Sequence, residues 1–89
     1  VIGLDYKKHI MASVSKFLQV EMAKRNMTNG ELANKINEFC DGDINISSVR
    51  SWKNGDNMPR ADKILILADV FGTSTDEILG AYDSDNWRG

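Results

Sequence analysis

Apolar side chains recur along this chain at three- and four-residue steps, the spacing of one face of an α-helix, with no strand-like alternation. Ile10, Val14, Phe17, Leu18 and Met22 mark a first helix over about residues 8–25. Lys16, Gln19, Lys24 and Arg25 form its polar side, and the basic pair at its end complements the helix dipole as a solvated face. Thr28-Asn29-Gly30-Glu31 reads as a capping box, with Met27 and Leu32 as its hydrophobic staple, so a second helix starts at Asn29. Its stripe of Leu32, Ala33, Ile36 and Phe39 predicts a run to Phe39 or Cys40 and an end at Gly42. A third helix is predicted over 45–54, with Asn45 as N-cap, Ile44 and Val49 as staple, and Gly55 as stop. Asp56-Asn57-Met58-Pro59 is a turn. A fourth helix follows over about 61–71, with Ile64, Leu65, Leu67, Ala68 and Phe71 inward and Gly72 as stop. Ser74-Thr75-Asp76-Glu77 is a second capping box opening a short fifth helix through Ile78 and Leu79. The expected fold is all-α: residues 1–9 an N-terminal arm, 10–80 a five-helix domain, and 81–89 a polar, acidic tail carrying Trp87.

Composition narrows the function classes. Hydrophobic content of 42% with 27% charge describes a globule with one modest core rather than a disordered chain. A single Cys excludes an internal disulfide framework and fits a reducing compartment. No apolar run is long enough for a membrane span and no signal segment is visible, so a cytoplasmic location without membrane contact is expected. A net charge of −2 argues against a strongly basic nucleic-acid binder. The distribution softens that argument. Acids gather at Glu38, Asp41 and Asp43 and again at Asp83 and Asp85, whereas Arg50, Lys53 and Arg60 cluster around the third helix. Modest affinity with few phosphate contacts is the expectation.

The third helix holds the candidate chemistry. Val49 and Trp52 make a narrow apolar seam, the segment 45–55 contains no acid, and Ser47, Ser48, Arg50, Ser51 and Lys53 lie mostly off the seam. Such a helix is either an ordinary surface helix or one suited to the DNA major groove, where short side chains approach base edges and hydrogen-bond them. Asp41-Gly42-Asp43-Ile44-Asn45 imitates the start of a calcium loop, but Ile46 and Trp52 stand where that loop needs Gly and Glu. His9, the only histidine, has no Cys or acid near it and reads as a surface residue; Cys40 reads as a small buried filler. No nucleophile–base pair, zinc set or phosphate-cradling glycine loop is present, so no enzyme, metal or cofactor is expected.

The order of signals over residues 10–80 resembles the helix-turn-helix domains of phage-repressor and Cro type. Thr28-Asn29-Gly30-Glu31-Leu32-Ala33 is followed by a helix ending Trp52-Lys53-Asn54-Gly55. Pro59-Arg60 come next, then an Ala/Leu-rich helix closed by Phe71-Gly72-Thr73-Ser74-Thr75-Asp76-Glu77-Ile78-Leu79. The resemblance implies a lambda-repressor-like five-helix fold and sequence-specific binding of double-stranded DNA as a homodimeric transcriptional repressor. Position by position, it implies that Asn29 contacts phosphate and buttresses the third helix. Ile46, Ser47 and Ser51 face base edges, flanked by Ser48 and Arg50; Asn54 meets a phosphate; Arg60 reaches the backbone near the minor groove. By their chemistry Arg50 or Lys53 suits guanine or phosphate, and Ile46 a thymine methyl. Two departures stand out. Seven residues separate Ile36 from Ile44, where the family usually has a single glycine-like one, a lengthened turn expected to tilt the third helix or bring Asp41 and Asp43 near phosphates. Lys53 stands where the family typically has Glu, which favours DNA. The rival reading is a helical protein-interaction module of antitoxin or antirepressor type, supported by the acidic balance and the acidic turn. Salt dependence of DNA affinity separates the two.

Overall fold

The first free amides of a helix need acceptors, and this chain places them by short-range side-chain bonds. In the computed structural model, which describes residues 6–40, 42 and 44–80, five helices follow one another. They are α1 (Tyr6–Lys24), α2 (Asn29–Asn37), α3 (Ile46–Asn54), α4 (Ala61–Phe71) and α5 (Thr75–Leu79), with no strand among the described residues. Thr28 Oγ1 accepts from the Glu31 amide at 3.1 Å, and Glu31 Oε1 accepts from the Thr28 amide at 2.8 Å, which completes the capping box of α2. The bond from the Thr28 amide holds the Glu31 carboxyl below the usual carboxylate range. Asn45 Oδ1 accepts from the Ser48 amide at 3.0 Å to open α3, and Ser74 Oγ from the Glu77 amide at 3.2 Å to open α5. The Glu77 carboxylate also accepts from the Thr73 hydroxyl.

The apolar faces meet in one core. Val14, Leu18, Met22, Leu32, Ile36, Val49, Leu67 and Ile78 are its most deeply buried large side chains. α1 packs on α3 and α5, α2 on α3 and α4, and α4 on α5, so α3 rests between the first two helices. Burying a side chain of this size is worth about 1.5–3 kcal/mol each. At the far end, Phe17 meets Phe71 edge to face with centroids 5.4 Å apart, and the Arg25 guanidinium lies over the Phe71 ring, 5.1 Å from its centroid. Arg25 also donates to the Phe71 carbonyl at 3.4 Å, so the basic end of α1 braces α4 as well as facing water.

Four local expectations need correction. α1 begins at Tyr6, inside the segment read as an arm. α2 stops at Asn37, because the Asn37 side chain is engaged by Ile44 and the next amides, Glu38 and Phe39, tighten onto Lys35 and Ile36 carbonyls. Phe39 thereby leaves the stripe and is 55% exposed. Leu65 is 62% exposed, since the buried face of α4 runs through Ile64, Leu67, Ala68 and Phe71 and Leu65 is a 100° step off it. His9 is half-buried, its Nε2 next to Gly80, rather than on the surface. Asp41, Asp43 and the tail with Trp87, Asp83 and Asp85 lie outside the described residues.

Candidate nucleic-acid interface

The two buried residues of α3, Val49 and Trp52, leave the rest of a nine-residue helix turned outward. Ser47, Arg50 and Asn54 are exposed, Ile46 is 48% exposed, and Ser48, Ser51 and Lys53 are half-buried. The helix is held at both ends. At its start, the Ile44 amide donates to Asn37 Oδ1 at 3.1 Å while Asn37 Nδ2 donates to the Ile44 carbonyl at 2.8 Å. Ile46 then covers Gly30, where an added Cβ would stand 3.6 Å from Ile46 Cδ1. At its end, the Lys53 carbonyl accepts from Ser15 Oγ at 2.5 Å and from Gln19 Nε2 at 2.8 Å, both on α1. Gly55 stops the helix in the left-handed region at φ 77°, where a residue with a Cβ is disfavoured.

The residues singled out from the sequence border three recesses, apart from Arg50, Asn29 and Lys53. Ser47, Ser48 and Ser51 line one open recess of about 440 Å³ between α3 and the start of α4, together with Arg60. Ile46 and Ser47 border a second, of about 460 Å³, against Gly30, Ala33 and Asn34 of α2. Asn54 borders a third, of about 580 Å³, with Lys8, Lys16 and Gln19 of α1. Arg50 stands exposed and lines none of these three. Asn29 and Lys53 are joined directly: Lys53 Nζ donates to Asn29 Oδ1 at 3.1 Å. That bond makes Asn29 a buttress of α3 and turns its amide nitrogen away from the ammonium.

Sequence reasoning passed over three features. Lys63 lines the first recess while being buried, its Nζ 3.1 Å from Asp62 Oδ2, and that bond holds the Asp62 carboxyl below its ordinary range. Its position three residues after Arg60, on the next turn of the same face, was the available signal. Lys8 and Lys16 share the recess with Asn54, and their spacing over two turns of α1 would have placed them on one face. Gln19, read as part of a polar surface, and Ser15, not singled out, hold the end of α3. The assembled surface offers hydroxyls and amides flanked by Arg50, Arg60, Lys8 and Lys16, a set able to hydrogen-bond base edges and neutralise phosphates.

A family model described as helix-turn-helix matches residues 18–78, from the second half of α1 through Ile78 of α5, and contains α2, α3 and α4 whole. No curated protein and no solved structure gives a significant match.

Proposed function

This chain belongs to the helix-turn-helix family of phage-repressor and Cro type, DNA-binding regulators of transcription rather than enzymes, and we propose that it is a sequence-specific repressor whose α3 enters the major groove of double-stranded DNA. The observation that carries this reading is the fixation of α3 at both ends with its hydroxyl-bearing, acid-free face left outward. In this reading Ser47 and Ser51 hydrogen-bond base edges, Ile46 meets a thymine methyl beyond Gly30, and Arg50 takes guanine or a flanking phosphate. Asn29, Asn54 and Arg60 contact phosphates, with Lys8 and Lys16 beside Asn54. Lys53 acts chiefly through Asn29. α2 crosses the backbone. No helix among the described residues is long and apolar enough to cross a membrane, and the cytoplasm is the proposed place of action.

A repressor of this type acts on paired half-sites about one helical turn apart, which requires a second copy. An open apolar groove of about 410 Å³, lined by Met58, Pro59, Leu65 and Leu79 among others, is the seat we propose for it. Met58 borders both this groove and the recess of Ser47 and Arg60, so a copy seated there lies directly beside the reading face. Exposed Phe39 supports a second reading, an apolar anchor for a protein partner.

Selection from a randomised duplex pool at low salt, with winners re-measured across a salt series, tests the reading. An enriched two-half site whose affinity falls steeply with salt is expected. Ser47→Ala with Ser51→Ala then relaxes base preference, while Arg60→Ala weakens all duplexes alike and lowers the salt slope by about 1. No salt-dependent binding to any duplex overturns the proposal in favour of the protein-partner reading.

A further inference from the structure

The connection from α2 to α3 is long, and one side chain spans it. Asn37 is the last residue of α2, so its Cα–Cβ direction is set by a helix that is itself anchored in the core through Leu32 and Ile36. From there its amide takes both main-chain groups of Ile44: Oδ1 receives the Ile44 N–H at 3.1 Å and Nδ2 donates to the Ile44 carbonyl at 2.8 Å. Two bonds of opposite sense fix the in-plane orientation of the segment as well as its distance. Ile44 directly precedes Asn45, the N-cap whose Oδ1 receives the Ser48 amide at 3.0 Å. A path of direct contacts therefore runs from α2 through Asn37, Ile44 and Asn45 into α3, bypassing residues 38–43. Within the bypassed stretch, Phe39 and Gly42 are exposed and a Cβ on Gly42 would meet nothing within 4 Å, while half-buried Cys40 stays on the α2 side, its Sγ donating to the Ile36 carbonyl at 3.4 Å and to Asn37 Oδ1 at 3.8 Å.

We infer that Asn37 is the positioning residue of α3: its primary amide does the work of a tight turn and uncouples the reading helix from the length and sequence of residues 38–43. The inference deepens the DNA-binding proposal and rests on α3 being the reading element. The chemistry is specific. A primary amide at this reach both accepts and donates; Asp accepts from the Ile44 amide but offers nothing to its carbonyl, and Leu does neither. Base readout needs side chains placed to hydrogen-bond tolerance, whereas phosphate attraction is long-ranged and forgiving, so a displaced α3 loses discrimination before it loses affinity.

The test uses the full chain in two series. One replaces residues 38–43 by Gly/Ser segments of the same length, two residues shorter and two residues longer; the other carries Asn37→Leu or Asn37→Asp. Each folded variant is measured for hydrogen exchange of the Ile44 amide, and for the ratio of its affinities for the selected duplex and a scrambled one. Segment replacements are expected to leave Ile44 protected and the ratio within about twofold of the parent. Asn37→Leu is expected to lose the protection and about tenfold or more of the ratio, the worth of one base contact, at an unchanged salt slope. Asn37→Asp, which preserves the bond to the Ile44 amide and serves as the folding control, keeps the protection and loses less of the ratio. A parent Ile44 amide that exchanges as fast as an open loop overturns the inference, as does an Asn37→Leu protein that keeps full discrimination. Absence of discrimination by the parent overturns the DNA reading instead, and exchange at Ile44 then decides by itself whether Asn37 holds α3.

Discussion

The two connections flanking α3 solve the same problem by different chemistry. After α3, the chain closes through its own backbone: Gly55 adopts φ 77°, the Asp56 amide returns to the Ser51 carbonyl at 2.9 Å, and buried Pro59 leads straight into α4. Before α3, the closure is made by a side chain, the Asn37 amide, which reaches the Ile44 backbone directly. A backbone closure tolerates no change of length because every residue is part of the geometry. A side-chain closure fixes two points and leaves the intervening chain free to vary. Extra residues can thus enter the first connection while α3 stays on α1 and α2.

Five substitutions break or sharpen this contrast. Trp52→Ala removes the buried wedge that both connections serve and is expected to cost about 3–5 kcal/mol in urea unfolding, erasing the difference between them. A smaller loss of about 1–2 kcal/mol is expected for Gly55→Ala, since a Cβ in the left-handed region is strained inside a backbone closure. Gly42→Ala, at nearly the same φ of 79°, is expected to cost under about 0.5 kcal/mol because its segment can relax. Equal losses at the two glycines, read by thermal melts, would refute the contrast. Asn45→Ala deletes the cap that links the Asn37 closure to α3, with about 1 kcal/mol expected by chemical denaturation. The smallest effect is a pH dependence at the start of α2. The Glu31 carboxyl is held below its ordinary pKa of 4.5 chiefly by the Thr28 amide, so its stabilisation is complete above that value and disappears as pH falls through the lowered folded one. Glu31→Gln should flatten this acid limb in a series of melts while leaving the neutral-pH melt close to that of the parent.

What the sequence disclosed follows the range of each interaction. Thr28 with Glu31, Asn45 with Ser48 and Ser74 with Glu77 are bonds between residues three apart, and the starts of three helices were legible from them. The end of α3 at Gly55 was legible for the same reason. The end of α2 was not. Phe39 fits the helical period perfectly well, but the period cannot say that the Asn37 side chain will turn to Ile44 and draw the chain off its axis. Leu65 fits the composition of an apolar stripe and misses its angle. In the candidate interface, the outward set of Ser47, Ser51 and Arg50 could be read from one helix alone. Lys53 could not be placed, because Asn29, 24 positions away, accepts its ammonium, and Ser15 and Gln19 bind its carbonyl from 38 and 34 positions away. Contacts that join distant segments leave no local trace in spacing.

The bond from Ser13 Oγ to the Ile78 carbonyl joins residues 65 positions apart, and Ile78 is fully buried against the first helix. For an all-helical chain this is a long closure, and its entropy must be met before the contact returns anything. A growing chain emerging from the ribosome can wind α1 to α4 early, but it cannot complete the core until α5 is available. Folding of this domain is therefore expected to be an all-at-once event that waits for α5 to leave the ribosome.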